Sequence, residues 1–148
     1  NIPLYVKPFF SPDEPGSVIS SMKQKAFIPS YIFKRNQILI TIFPKDFSFI
    51  TVDNLSEIFS ILSKYGVKPN LMQNSALSFS ICSDNKSHRI ENILDALSRN
   101  YLIKYNEQME LVTIRHYTEE IVQKIKGKRK IYAEQRSRAT VQIVVKES

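Results

Sequence analysis

The sequence predicts an α+β fold, with strands and two amphipathic helices in the order β-α-β-β-α-β over residues 37–105. Two observations lead to this prediction. Runs of β-branched and aromatic residues show the patterns of strands, and the apolar residues between them recur at the spacing of helices. The chain has 148 residues, 43% of them hydrophobic and only 3 of them glycine, which excludes collagen-like and highly disordered classes. That length suits one ordinary domain or two small ones.

The N-terminal stretch, residues 1–22, contains four of the seven prolines and is therefore predicted to be extended and turned. We expect a short strand over residues 2–6, a turn-rich loop over residues 11–16 and a link over residues 22–26. The chain starts with neither an initiator methionine nor the basic and apolar regions of a signal peptide. We therefore expect it to be a piece of a longer protein.

The first strand–helix element follows residue 28. Strands are predicted over residues 31–33 and 37–43, with a polar run of three residues between them. A helix comes next, because apolar side chains recur at i, i+3, i+4, i+7 and i+10, namely Leu55, Ile58, Phe59, Leu62 and Tyr65. Asp53 is the candidate N-cap of this helix, and Gly66 is placed where a helix end favours a left-handed residue.

The remaining elements complete the order. A strand over residues 67–72 is interrupted early by Pro69, and residues 76–82 alternate like a half-buried strand with Cys82 on its polar side. A closing strand is predicted over residues 101–105, after a second helix whose apolar positions are Ile90, Ile93, Leu94 and Leu97. This order is the ferredoxin-like arrangement, an antiparallel sheet with both helices on one face.

The same pattern then restarts. Residues 109–115 are predicted to form a strand, and residues 118–126 a short helix with Thr118 as its cap. Strands over residues 131–134 and 140–145 close a second β-α-β-β unit. The last helix and last strand of this second unit are expected to be missing from the chain.

The net charge of +7 is compatible with nucleic acid or an anionic membrane as a partner. The basic residues are nonetheless dispersed, except over residues 124–130, at the predicted end of a helix. Cations there favour the helix dipole, so a solvated helix end is the favoured interpretation and a docking patch is the alternative. No apolar run approaches the roughly 18–20 residues of a membrane span, and no membrane partner is expected.

RNA-binding RRM domains share the β-α-β-β-α-β order, but they need stacking aromatic side chains on their third strand. The corresponding strand here, residues 75–81, carries one aromatic residue at a core-facing position. A nucleic-acid-binding module is therefore a remote alternative, and no nucleic-acid partner is expected. The one cysteine forbids an internal disulfide and fits a reducing compartment, so a cytoplasmic location is expected.

Residues with catalytic potential are scattered. Cys82 has no histidine near it in sequence, and neither His88 nor His116 belongs to a metal-ligand spacing. No phosphate-binding glycine motif is present. We therefore predict no catalytic and no metal-binding residue in the chain.

The junction between the first strand and its helix, residues 44–55, is the remaining candidate site. A helix N-terminus presents free N–H groups and a positive partial charge, which suit a small carboxylate. Polar side chains that can complete a pocket between this junction and the next strand are Asp53, Asn54, Asn70, Asn74 and Ser75. A capped helix beside a polar loop, without a ligand, is the alternative interpretation of these residues.

Several segments resemble the regulatory end of aspartate kinase, which is built from two ACT domains. Residues 2–19, with their I-P-L-Y-V start and spaced prolines, look like the end of the kinase domain. Residues 33–41, with R-N-Q and a later threonine, resemble the start of the first ACT unit in the lysine-sensitive type. Residues 55–67 resemble its first helix and turn, and residues 112–145 resemble the second unit.

The resemblance implies a domain organisation. Residues 1–22 would be the tail of the kinase domain, and residues 23–36 a linker with a strand of the second ACT unit. Residues 37–105 would form the first ACT domain, a ferredoxin-like unit, and residues 106–148 a second, incomplete one. In this family the first unit is inserted into the second, so residues 28–35 would pair far from their sequence neighbours.

The resemblance also implies a function. The parent enzyme would phosphorylate aspartate with ATP and Mg, the first step towards lysine, threonine and methionine, and this fragment would have neither catalytic residues nor a cofactor of its own. Its partners would be its own kinase domain, a second subunit in a homodimer and an end-product amino acid, lysine first and threonine second. A ligand-free ACT dimerisation module of the same enzyme is the alternative.

Residue by residue, the resemblance carries effector contacts onto the first helix junction and the strand that follows it. These candidate effector-binding residues are Ser48, Ile50, Thr51, Asp53, Asn54, Leu55, Pro69, Asn70, Asn74 and Ser75. The family commonly has an acid where this chain has Ala76, and often a glycine where it has Asp53. Asp53 is therefore the candidate carboxylate for the ammonium group of a bound lysine.

Overall fold

The computed structural model describes residues 4–6, 17–19 and 28–148. The strands in these residues are β1 (Leu4–Val6), β2 (Ser17–Ile19), β3 (Ser30–Pro44), β4 (Leu71–Asn74), β5 (Phe79–Asp84), β6 (Tyr101–Arg115), β7 (Ile131–Arg136) and β8 (Thr140–Lys146). The helices are α1 (Val52–Lys64), α2 (Ser87–Ser98) and α3 (Glu119–Lys126). The predicted loop over residues 11–16 and the predicted link over residues 22–26 lie outside the described residues.

All pairing between strands is antiparallel. β1 pairs with β2 in a separate two-stranded sheet, and the other strands form a six-stranded sheet in the order β4-β5-β3-β6-β8-β7. The central strands β3 and β6 are each 15 residues long and pair along most of their lengths. The α+β fold predicted from the sequence is confirmed.

The two long strands serve both units. The second half of β3 pairs with β5, whereas its first half, Ser30 to Lys34, pairs with Arg115 to Leu111 in β6. The first half of β3 thus occupies the place of the fourth strand in the second unit, and the first unit is inserted into the second. The strand expected to be missing is supplied in this way from residues that precede the first unit. The boundaries of the four predicted segments stay predictions.

The sequence predicted two short strands, over residues 31–33 and 37–43, where the structure has the single strand β3. It also predicted two strands, over residues 101–105 and 109–115, where the structure has the single strand β6. Register shifts between Lys34 and Gln37 and between Gln37 and Leu39 carry the polar run through the sheet as a bulge. Asn36 takes a φ of 51°, and Gln108, next to Met109 in β6, takes a φ of 54°. Asparagine tolerates this left-handed conformation better than most residues. The polar run therefore bends the strand and does not end it.

The strands β4 and β5 lie later in the chain than predicted. The residues that follow α1 are still hydrogen-bonded to it, because the Val67 N–H donates to the Leu62 carbonyl. Gly66, between them, takes the predicted left-handed conformation with a φ of 65°. Pro69 has no N–H to donate to a strand, so β4 starts only at Leu71. A turn closed by hydrogen bonds between Ser75 and Ser78 delays β5 to Phe79.

Apolar side chains form a core on each face of the sheet. On one face α1 and α2 cover the first unit, where Ile40 and Ile93 are fully buried, and α3 covers the second unit around Val122. The opposite face is also covered, because the sheet curls and brings its edge strands together. Gln73 Nε2 in β4 donates to the Glu134 carbonyl in β7 at 3.3 Å.

Cys82 belongs to the core on this second face, together with Leu39 and Met109. The prediction that Cys82 lies on a polar side of its strand was wrong, because the alternation within β5 cannot show that the curled sheet covers its other face. Burial, with a smaller contribution from the charge of Asp84, raises the pKa of Cys82 to about 12. The thiolate, which is the reactive form, is therefore disfavoured.

Candidate functional site

The junction before α1 is organised by Thr51. Its side chain Oγ1 accepts from the Asn54 N–H at 3.2 Å, and its own N–H donates to Asn54 Oδ1 at 2.9 Å. This reciprocal pair is a capping box with asparagine at the third helical position. The prediction of Asp53 as the N-cap was therefore wrong: it lies exposed in the first turn, where its charge still favours the helix dipole.

Replacing Thr51 by alanine is expected to lower the free energy of unfolding by about 1 kcal/mol, because the Asn54 N–H loses its acceptor. Chemical denaturation measures this change, and Thr51→Ser is the matched control because it keeps the hydroxyl. Asp53→Ala should cost less than Thr51→Ala. Equal losses for the two alanine variants would contradict the capping role of Thr51.

A cavity of about 300 Å³ opens beside this capped helix start. It lies between the end of β3, the first two turns of α1 and the start of β6. Its lining residues are Pro44, Lys45, Asp46, Ser48, Asn54, Glu57, Asn100 and Tyr101. Two of the predicted effector residues, Ser48 and Asn54, thus line one cavity, and two carboxylates lie there with them.

Glu57 is the better anchored of the two carboxylates. Its Oε1 accepts from Asn100 Nδ2 at 2.6 Å, and its Oε2 accepts from the Tyr101 hydroxyl at 2.7 Å. Burial, together with the hydrogen bond to Glu57, raises the pKa of Tyr101, so its hydroxyl remains a donor at neutral pH. A carboxylate has lone pairs for about four hydrogen bonds, and Glu57 therefore retains acceptor capacity for a ligand.

Asp46, Ser48 and Lys45 form the outer part of the lining. Asp46 Oδ1 accepts from the Ser48 N–H at 3.1 Å, and hydrogen bonds from the side chain and backbone of Ser48 lower the pKa of Asp46. Lys45 Nζ donates to the Arg99 carbonyl at 2.8 Å. With Asp46 ionised, one lysine and two carboxylates line the cavity, which leaves a formal charge of −1.

The arrangement combines groups that can hold both ends of an amino acid. The helix N-terminus favours a carboxylate, and Glu57 and Asp46 favour an ammonium group. Glu57 is the cavity-lining carboxylate on α1 that the sequence analysis did not identify as a candidate. Its position three residues after Asn54, on the half-buried side of the helix, is the only signal by which the sequence could have identified it.

The other predicted junction residues do not line this cavity. The Ile50 N–H donates to the Ala76 carbonyl at 2.9 Å, which ties the junction to the turn that holds Ser75. Asn74 is the last residue of β4, directly before that turn, and it pairs with Phe79 in β5. Leu55 packs against the core under α1 and supports the site without a polar group.

Asn70 and Pro69 lie at the other end of β4. At about 3.3 Å per strand residue, Asn70 is about 13 Å from Asn74. The Asn70 side chain already has partners: its Nδ2 donates to Gln37 Oε1 at 2.8 Å and to Asp84 Oδ1 at 3.0 Å, and its Oδ1 accepts from Lys34 Nζ at 3.0 Å. These two residues are therefore not brought to the junction within one chain.

Three further observations concern RNA binding, membrane spans and metal binding. Phe79, the aromatic residue on the strand that an RRM would use, is buried edge-on against Phe59. In the described part of the chain, no helix is long and apolar enough to cross a membrane. The described residues also contain no group of three or more His, Cys, Asp or Glu side chains placed to hold a metal ion.

No protein-family model matches the chain, and no curated protein matches it in sequence. Solved structures do match it in fold. A domain from Porphyromonas gingivalis W83, assigned as the C-terminal regulatory domain of aspartate kinase, superimposes with a TM-score of 0.68 at 18% identity, over 80% of this chain and 86% of that one.

Two complete enzymes match as well. Aspartate kinase from Clostridium acetobutylicum has a TM-score of 0.70 at 23% identity, over 98% of this chain and 38% of the enzyme. Aspartokinase III from E. coli, in complex with lysine and aspartate, has a TM-score of 0.66 at 18% identity, over 98% and 36%. The chain thus spans little more than a third of these enzymes. It has the fold of the regulatory domains of aspartate kinases.

Proposed function

We propose that the chain is the regulatory region of an aspartate kinase and that it binds an end-product amino acid in the cavity at the start of α1. The observation that carries this proposal is the pair of carboxylates, Glu57 and Asp46, that lines the cavity beside a helix N-terminus. The fold supports it, because the chain superimposes on an aspartokinase whose structure is a complex with lysine and aspartate.

Charge favours lysine over threonine as the effector. Lysine carries a net charge of +1 and threonine carries none, whereas the cavity lining has a formal charge of −1. The effector carboxylate would lie near Ser48 and the first N–H groups of α1. The side-chain ammonium group would lie at Glu57, with Asp46 next to it. Thr51, Asn54 and Leu55 would then act by holding α1 in place.

The parent enzyme would use ATP and Mg to phosphorylate aspartate in its kinase domain, in the cytoplasm. This chain would contribute regulation and no catalytic residue. An effector that binds one arrangement of the ACT units better than another changes the activity of the kinase domain through that difference in affinity. The end product would thereby limit its own synthesis.

A second copy of the chain is the proposed partner at the junction. Large apolar side chains are exposed on the junction loop and on the adjoining turn: Phe47 is 70% exposed, Phe49 68%, Val52 81% and Leu77 53%. A cluster of this kind marks an interaction surface. It lies next to the cavity, so a homodimer would cover the effector.

The variant Phe49→Asp is expected to shift the chain from dimer to monomer, because it places a charge at the centre of this apolar cluster. Sedimentation velocity across a range of protein concentrations measures the change. Leu102→Asp is the matched control, since Leu102 is 42% exposed on β6, outside the cluster. Dimers of equal stability in both variants would contradict the assignment of this surface.

Thermal unfolding with lysine, threonine, methionine or no ligand tests the effector proposal at a fixed protein concentration. A ligand at 100 times its dissociation constant stabilises the folded state by about 2.7 kcal/mol, which corresponds to a rise in Tm of roughly 5–10 °C for a chain of this size. We expect this rise with lysine, and a smaller one with threonine.

The outcomes of this experiment separate the candidate functions. A rise in Tm with one amino acid alone identifies the effector. A stable dimer whose Tm responds to none of them would contradict effector binding and favour the ligand-free dimerisation module.

A further inference from the structure

A second cavity, of about 370 Å³, lies at the other end of α1 from the proposed effector cavity. The 13 residues of α1 span about 20 Å, at 1.5 Å per residue, so the two cavities are separate. The charged side chains that line this second cavity are three cations, Lys68, Lys86 and Arg89, and one acid, Asp84. Its lining therefore carries a formal charge of +2.

Asp84 does not neutralise these cations by direct pairing. Its Oδ1 accepts from Gln37 Nε2 at 2.8 Å and from Asn70 Nδ2 at 3.0 Å, and these hydrogen bonds lower the pKa of Asp84. A fourth cation, Lys34, belongs to the same hydrogen-bond network, because its Nζ donates to Asn70 Oδ1. In the described part of the chain, none of the three lining cations is within ion-pair distance of a carboxylate.

Arg89 is held at the cavity wall. Its Nη1 donates to the Gly66 carbonyl at 3.2 Å, which uses one of the five donors of the guanidinium. The remaining donors are available for an anion. Lys86 is the N-cap of α2 and Arg89 lies in the first turn of that helix, whereas Lys68 lies in the segment between α1 and β4, so cations from two segments line one cavity.

The N-terminus of α2 adds positive charge to the same cavity. Lys86, the N-cap of α2, makes no capping hydrogen bond with its side chain, and the first turn of the helix contains no acidic residue. The positive end of the helix dipole is therefore not compensated from within the helix. It lies beside the three cations and has the same sign.

We propose that this cavity binds a small anion with two or more negative charges, of the phosphate monoester or dicarboxylate class. A cavity of about 370 Å³ is large enough for a small metabolite. The inference does not rest on the proposed amino-acid effector, because the two cavities share no lining residue.

Titration of the intact chain with inorganic phosphate and, separately, with succinate tests this proposal by two-dimensional amide NMR, with sodium chloride at matched ionic strength as the blank. We expect saturable shifts of the amides over residues 66–70 and 83–89. Arg89→Gln and Lys86→Gln should each raise the apparent Kd at least tenfold. Tighter binding of phosphate assigns the phosphate class, and tighter binding of succinate assigns the dicarboxylate class.

The control variant is Lys124→Gln, which removes an exposed cation from α3 and should change the Kd less than twofold. Equal weakening by Lys124→Gln and by Arg89→Gln would show general charge attraction and overturn the proposal. The absence of saturation with either probe would also overturn it. Glu57→Gln should leave phosphate binding unchanged, so failure of the effector proposal and failure of this one are distinguishable.

Discussion

Replacing Ile40 by alanine is expected to lower the free energy of unfolding by about 2–5 kcal/mol. Ile40 is fully buried in the middle of β3, opposite Ile81 in β5 and Tyr105 in β6, and it packs under both helices of the first unit. Its truncation leaves a cavity that the central strand of a paired sheet cannot collapse to fill. Chemical denaturation, monitored by far-UV circular dichroism, measures the loss.

The matched control for this substitution is Leu102→Ala. Leu102 lies on the neighbouring strand β6 but is 42% exposed, and its truncation is expected to cost less than about 1 kcal/mol. A similar loss in both variants would show that Ile40 does not belong to a rigid core. It would contradict the packing of α1 and α2 on this face of the sheet.

Glu57→Gln is expected to weaken lysine binding by about 10- to 100-fold, the equivalent of a hydrogen bond to a charged group worth 1.5–3 kcal/mol. Glutamine keeps the size of the side chain and an oxygen acceptor for Asn100 or Tyr101, so the fold should be preserved. It removes the negative charge that we propose binds the lysine ammonium group. Isothermal titration calorimetry of the chain with lysine measures the change.

Asp53→Asn is the control for Glu57→Gln, because it removes an equal charge from the same helix at a position outside the cavity lining. We expect it to change the affinity for lysine less than twofold. A large loss with Asp53→Asn and none with Glu57→Gln would reverse the two assignments. It would return the ammonium contact to the residue that the resemblance selected.

Local sequence patterns were sufficient to predict the three helices, but they did not identify Thr51 as the N-cap of α1. The apolar spacing that predicted the second helix matches the buried positions Ile90, Ile93 and Leu97 of α2. Thr118 caps α3 as predicted, since its Oγ1 accepts from the Ile121 N–H at 3.3 Å. Helices were predictable because their hydrogen bonds and caps join residues three or four apart, so each signal lies within the helix itself.

Strand limits were less predictable, because a strand is defined by partners that are distant in the sequence. The polar run at Asn36 gave every sign of a break, yet pairing with β6 on both sides of it keeps β3 continuous. The pairing of Ser30 to Lys34 with Arg115 to Leu111 was expected from the resemblance alone. No local pattern reveals a partner about 80 residues away.

The sequence by itself determined the fold class and the three helices, and it predicted a polar site at the start of the first helix. Only the tertiary structure decided which side chains compose that site. Glu57 enters the cavity because Asn100 and Tyr101, the first residue of β6, lie against α1, and Asp53 stays outside because Thr51 starts the helix. Curling of the sheet likewise buries Cys82. The positions of Glu57 and Cys82 depend on contacts between distant segments, which no local pattern in the sequence encodes, whereas the cap at Thr51 is a local contact with Asn54.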